Sequence, residues 1–165
     1  MAITTRAVFW TVAYVAAILA VNWLFAPAQL VEGVTFWKTA WGDFFLANVI
    51  VGAVFVLRDY AQRGIGHRIL LATLLAGGLT YLTVDPAIAI ASLVAFIISE
   101  MSDWSVYSFW RKPLQQRILV SSLVAVPLDT FVFQHLAGYL TPAAFTMEVA
   151  SKAMGVLIVW QLLRL

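Results

Sequence analysis

No cysteine occurs anywhere in the chain. That excludes disulfides, thiolate metal sites and a cysteine nucleophile. Charge is scarce as well: 11% of the 165 residues are charged and 63% are hydrophobic, whereas a soluble domain is about 25% charged and about 45–50% apolar. A core of this size cannot absorb so much apolar side chain, so lipid has to act as the solvent. There is no Gly-x-Ser-x-Gly, no His-Glu-x-x-His and no phosphate-cradling glycine loop. The common hydrolase and nucleotidase readings therefore fail, and the chain has no motif for driving ATP-powered uptake by itself. No soluble domain, low-complexity tract or clear internal repeat is visible. A net charge of +2 gives no reason to expect a nucleic-acid partner, and nothing calls for a metal or cofactor or marks an enzyme.

What the chain does contain is a series of six apolar stretches. They run from Arg6 to Ala26, Asp43 to Leu57, Ile69 to Val84, Pro86 to Trp110, Ile118 to Leu140 and Pro142 to Leu163. A helix needs roughly 20 apolar residues to cross a bilayer, with a range of about 17–25. The second and third stretches are short and call for local thinning or burial against neighbours. The pattern predicts an all-α integral membrane protein, a single domain over residues 1–165 with six transmembrane helices. The longest connection, Pro27 to Gly42, carries Phe36, Trp37 and Trp41 and suits the membrane interface.

The basic residues orient the spans. Arg58, Arg63 and Arg68 fall in the second connection, Arg111, Lys112 and Arg117 in the fourth, and Arg6 and Arg164 near the two ends. Lys38 is the single basic residue of the first, third and fifth connections. The positive-inside rule then puts both termini in the cytoplasm, as an even number of spans requires. Ala26-Pro27-Ala28 imitates a signal-peptidase site, but the apolar run before it exceeds the roughly 7–15 residues of a signal-peptide core.

Against this background the informative residues are the ionisable ones inside the spans: Glu100, Asp103, Asp129, Glu148 and Lys152. Each costs roughly 2.5–3.5 kcal/mol at membrane depth, and such residues mark substrate or proton paths by default. Phe96, Glu100, Asp103 and Tyr107 share one helical face, with Trp104 at its edge. The bland reading of the two carboxylates is hydration at the interface or pairing with Arg111 or Arg117. Asp129 sits near mid-span, two residues after Pro127, which frees the Leu123 carbonyl and favours a kink. Ser121, Ser122 and Ala125 precede it on a similar face, and Thr130, Phe133 and Gln134 follow. Glu148 and Lys152 are spaced for a helical ion pair, and Lys152 lies at a depth where it could also serve Asp129. Four buried carboxylates against one lysine would leave a charge of −3, so some must be protonated, hydrated or paired with a bound cation. His67 reads as a loop residue and His135 as a hydrogen-bonded core histidine. Ala13, Ala16, Ala17 and Ala20 read as a small-residue packing face.

The segment from Ser99 to Gly138 resembles the queuosine-precursor transporter family, also called the vitamin-uptake-transporter family. The matching residues are Ser102, Asp103 and Tyr107, in a Ser-Asp-x-x-x-Tyr pattern, then Arg111, Arg117, the Ser121-Ser122 pair, and Asp129-Thr130-x-x-Phe133. The resemblance implies a multi-pass transporter of the bacterial inner membrane importing 7-deazaguanine bases such as preQ0 and preQ1. Such a base offers N–H donors along one edge and an aromatic face. Carboxylates accept the first and aromatic rings stack on the second. The candidate substrate-binding residues are accordingly Glu100, Asp103, Trp104, Tyr107, Asp129 and Phe133, with Asp103 linking Tyr107 to the arginines as an inner gate. Glu148 and Lys152 would tune charge or carry a proton. Two rival readings are the capture subunit of an ATP-driven uptake system and a non-transporting scaffold glued by its buried charges. The expected partners are a nucleobase-like small molecule, the bilayer and, for so small a bundle, a second copy of the chain.

Overall fold

The computed structural model describes residues 4–83 and 86–164. Six α-helices and one hairpin form within them: α1 (Thr5–Leu24), β1 (Phe36–Thr39), β2 (Gly42–Phe45), α2 (Leu46–Ile65), α3 (Ile69–Thr83), α4 (Pro86–Phe109), α5 (Leu114–Ala137) and α6 (Pro142–Arg164). Local chemistry sets several boundaries. The Thr4 hydroxyl accepts from the Ala7 amide at 3.2 Å and starts α1. The Thr141 hydroxyl does the same for Ala144 at 3.1 Å, with Pro142 pre-set for the first turn of α6. Gly138, at φ +79°, ends α5 in the left-handed conformation, which a glycine adopts without steric cost. The helix runs unbroken through Pro127. Val84, the end of the third predicted span, lies outside the described residues.

Among the described residues, four helical segments are long and apolar enough to cross a bilayer: α1, residues Ile90–Phe109 of α4, α5 and α6. The bundle is apolar outside, with Phe9, Val12, Leu71, Leu75, Leu123, Leu157 and Leu162 exposed. Inside it are Arg58, Asp59, Glu100, Asp103, Gln134 and Lys152. That inversion of the usual soluble arrangement is what a lipid environment selects.

The helix expected to be short is the one at the centre. α2 packs on α1, α5 and α6 and also reaches α3 and α4. It continues eight residues beyond the predicted end at Leu57, to Ile65. Arg58 and Arg63 are therefore helical rather than loop residues, and Arg58 is fully buried. The physical reason is that Phe55, Arg58, Asp59 and Gln62 recur at helical spacing on one buried face, so the inward stripe extends past the charged pair. Two glycines allow the close crossing of α2 and α6. A Cβ on Gly52 would run into the Lys152 carbonyl oxygen, and one on Gly155 into that of Val49. Small residues at such crossings let backbones approach in the absence of a hydrophobic force between helices. On α1, by contrast, the buried residues are Ala7, Tyr14 and Ile18. Ala17 packs beside them, but Ala16 and Ala20 face outward, so only part of the alanine set forms the packing face expected of it.

The Pro27–Gly42 connection contains more order than its composition suggested. β1 and β2 pair antiparallel, with Phe36 opposite Phe45 and Trp37 opposite Phe44. Ring centroids are 5.6 and 5.7 Å apart in those pairs, the cross-strand contacts that stabilise a sheet. The hairpin rests on α6, where a Cβ on Gly42 would meet the Ala143 carbonyl oxygen at 3.2 Å.

Candidate functional site

Two ionic centres occupy the interior, each built around one cation. The first surrounds Arg58. Its Nη1 lies 2.8 Å from Asp59 Oδ1 and 3.1 Å from Asp103 Oδ2, and its Nε lies 3.2 Å from Glu100 Oε2. Nη2 donates to the Glu100 carbonyl oxygen at 3.3 Å. The Tyr14 hydroxyl, from α1, donates to Glu100 Oε2 at 3.0 Å and lies 3.1 Å from the Thr73 hydroxyl of α3. Ser121, from α5, donates to Asp59 Oδ2 at 2.9 Å. Five helices thus converge on one guanidinium, and none of the four charged side chains is more than 1% exposed. Glu100 Oε1 and both Asp103 oxygens accept no well-aligned hydrogen bond; Asp103 is held by the Arg58 charge, with Ser121 and Asp59 beside it.

The second centre surrounds Lys152. Its Nζ lies 2.7 Å from Asp129 Oδ2 and 2.5 Å from Glu148 Oε1, and donates to the Thr130 hydroxyl at 3.1 Å. The three ammonium hydrogens therefore have three acceptors. Gln134 Nε2 donates to Glu148 Oε2 at 2.9 Å, and Ser99 donates to Asp129 Oδ1 at 3.0 Å. Ser99 immediately precedes Glu100 on α4, so one helix touches both centres.

Their depths differ. Asp103 stands six residues before the end of α4, about 9 Å along the axis at 1.5 Å per residue. Lys152 stands ten residues after the start of α6 at the opposite end, about 15 Å along it. The Arg58 centre lies toward the end where Tyr60 donates to the Leu163 carbonyl. The Lys152 centre lies toward the hairpin.

A sequence model of the family described as "Putative vitamin uptake transporter" matches residues 2–164. The chain belongs to that family. No curated protein and no solved structure matches it. Membership accounts for the inverted bundle: a vitamin uptake transporter works in the membrane and needs a polar interior there. The family is one of transporters, which is not an enzyme class.

Within this member of the family the residues singled out by sequence separate into groups. Glu100 and Asp103 meet at Arg58, while Asp129, Glu148 and Lys152 meet one another. Neither Arg111 nor Arg117 is the partner of Asp103; Arg58 is. The Arg117 guanidinium instead lies over the Tyr107 ring, 4.5 Å from its centroid. Trp104 is turned to the α2–α3 connection, where its indole donates to His67 Nδ1 at 3.1 Å. Phe133 meets Tyr139 edge-on at 5.8 Å. His135 is exposed and stacked on Phe131 at 5.8 Å, which corrects its reading as a core histidine.

Tyr14, Arg58, Asp59, Thr73 and Ser99 escaped the sequence reading. Arg58 and Asp59 were legible in principle, since they extend the inward stripe of α2. They were hidden because the positive-inside count assigned Arg58 to a loop. Tyr14 and Thr73 carry no signal that distinguishes them from ordinary span residues.

Proposed function

We propose that this chain imports a 7-deazaguanine precursor of queuosine across the bacterial inner membrane, as a six-span protein with both termini in the cytoplasm. The orientation is supported by where the basic residues gather. Arg6 and Arg63 line one cavity of about 180 Å³ with Trp10 and Tyr60. Tyr60 ties that end to the C-terminal turn of α6, which carries Arg164. Lys38 sits on the hairpin at the other end, paired with Glu32 at 3.5 Å.

The observation that carries the substrate reading is the pair of buried carboxylate centres joined through Ser99. Glu100 keeps a buried oxygen with no donor. Asp129 is the most exposed of the five carboxylates, at 14%. The N–H edge of a deazaguanine supplies the donor that Glu100 Oε1 lacks, and a carboxylate contact of that kind is specific as well as strong. Asp129 and Glu100 contact the base, and Phe133, one turn beyond Asp129, stacks on it. Asp103 and Tyr107, with Arg58 and Arg117, close the inner end. Trp104 lines the inner mouth beside His67. Glu148 and Lys152 set the charge of the outer centre.

The test is the queuosine content of tRNA in a host that lacks both precursor synthesis and its own transporter. The host expresses this chain and receives preQ0 or preQ1 at low concentration. The native chain should restore queuosine, and Glu100→Gln and Asp129→Asn should each abolish it. Full uptake by both variants, correctly inserted, would sink the assignment. Uptake by the purified chain in liposomes excludes the capture-subunit alternative.

A further inference from the structure

The Arg58 centre holds more negative charge than one guanidinium can neutralise. Asp59, Glu100 and Asp103 share it, and all three are buried to within 1%. Fully ionised, the group would carry −2 in a region where removing even one ion from water costs several kcal/mol. Hydrogen-bond donors do not make up the difference. Asp59 receives Ser121 and Glu100 receives Tyr14, but neither Asp103 oxygen has a well-aligned donor, and its closest acidic neighbour is Asp59 itself. A buried carboxyl oxygen without a donor is a place for a proton, and a second carboxyl anchored to the same Arg58 Nη1 stands ready to share it.

We propose that the Asp59–Asp103 pair is an exchangeable proton-binding site, and that its proton couples substrate entry to the proton gradient. The coupling half rests on the transport reading above; the proton site does not. The groups facing the pair are known from every helix around it. α2 supplies Arg58, α4 supplies Glu100 and, within electrostatic range of Asp59, Tyr107, α5 supplies Ser121, and α1 and α3 supply Tyr14 and Thr73 through Glu100. α6 contributes Lys152 and Glu148, which face Asp129 instead. Arg58 is thus the cation facing the pair among the described residues. When a proton binds, the centre loses one negative charge and the hold on Arg58 weakens. The guanidinium, released at Nη1, can then shift together with Glu100, whose donor-free Oε1 turns to the N–H edge of the base. Proton and substrate enter together, and release of the proton toward the cytoplasm re-forms the Arg58 centre.

The first experiment needs no substrate. Infrared difference spectroscopy of the full chain in nanodiscs, titrated through neutral pH, reads the carbonyl stretch of protonated carboxylic acids and its shift in D2O. The native chain should show a titrating band that Asp103→Asn and Asp59→Asn each remove, while Asp43→Asn, on the hairpin, leaves it intact. Absence of the band, or its persistence in both pair variants, overturns the site. Should one pair variant fail to fold, the other variant and the D2O shift of the native band still decide.

The second experiment is flux of labelled preQ1 into liposomes. An inward proton gradient should accelerate native uptake, and Asp103→Asn should abolish that acceleration. A titrating band with uptake indifferent to the gradient overturns the coupling. A titrating band with no preQ1 uptake by the native chain upholds the proton site and removes the substrate reading.

Discussion

The two ionic centres use the same kinds of residue and differ in how completely they are satisfied. At Lys152 every ammonium hydrogen has an acceptor. Ser99 and Gln134 supply the remaining oxygens of Asp129 and Glu148. Two carboxylates face one cation, and both retain some exposure, 14% and 10%. At Arg58 three carboxylates face one cation, exposure is nil, and three oxygens lack a well-aligned hydrogen-bond donor. A saturated polar network rigidifies, whereas in a half-satisfied one each unpaired buried group is costly. The difference assigns holding the bundle together to the Lys152 centre and responding to protons to the Arg58 centre.

The sharpest way to break that comparison is to remove each cation. Arg58→Leu strands three fully buried carboxylates, and losing one partner of a buried ion pair costs about 3–5 kcal/mol. Reversible unfolding in mixed micelles should place Arg58→Leu at the top of that range, and adding Asp103→Asn should recover part of the loss. Lys152→Met strands two carboxylates that can regain some water, so its cost should be smaller. Equal losses for the two variants would show that the centres do not differ in the way argued here.

A smaller effect tests whether the centres are held in register by the α2–α6 crossing. Gly155→Ala drives a methyl group into the Val49 carbonyl oxygen, and overpacking of this kind costs about 1–3 kcal/mol. Because Lys152 lies one turn before Gly155, the displacement should also weaken the Lys152 centre, so Gly155→Ala and Lys152→Met should be less than additive. Gly78→Ala is the control: its Cβ meets nothing within 4 Å, and replacing a helical glycine there should stabilise by about 0.5–1 kcal/mol.

The same contrast explains what the sequence could reveal. The Lys152 centre was legible because its charges lie within long apolar runs and because Glu148 and Lys152 have the spacing of a helical pair. The Arg58 centre was half legible. Glu100 and Asp103 stood out on α4, but their counter-ion was counted among loop arginines, and Asp59 beside it was passed over. A charged pair at the edge of an apolar run reads equally well as a helix end. Only tertiary packing distinguishes the two, through Tyr14, Thr73 and Ser121, which converge from helices far apart in sequence. Trp104 shows the converse error: its place on the carboxylate face was right by helical geometry, yet its indole finds a partner in His67 on the neighbouring connection. The hairpin was missed because its strands are four residues each, and its aromatic alternation was read as an interface signal.

The smallest expected effect concerns the link between the centres. Ser99 donates to Asp129 and adjoins Glu100, so Ser99→Ala removes one hydrogen bond, worth about 0.5–1.5 kcal/mol. Its effect on coupling should exceed its effect on stability. In a double-mutant cycle on unfolding free energy in mixed micelles, Glu100→Gln and Asp129→Asn are expected to interact while Ser99 is present, because one hydroxyl fixes the spacing of the two carboxylates. Repeating the cycle on top of Ser99→Ala should shrink that interaction toward additivity. An interaction energy unchanged by Ser99→Ala would mean that the centres communicate through the Gly52–Gly155 crossing instead, and that α4 merely carries residues belonging to both.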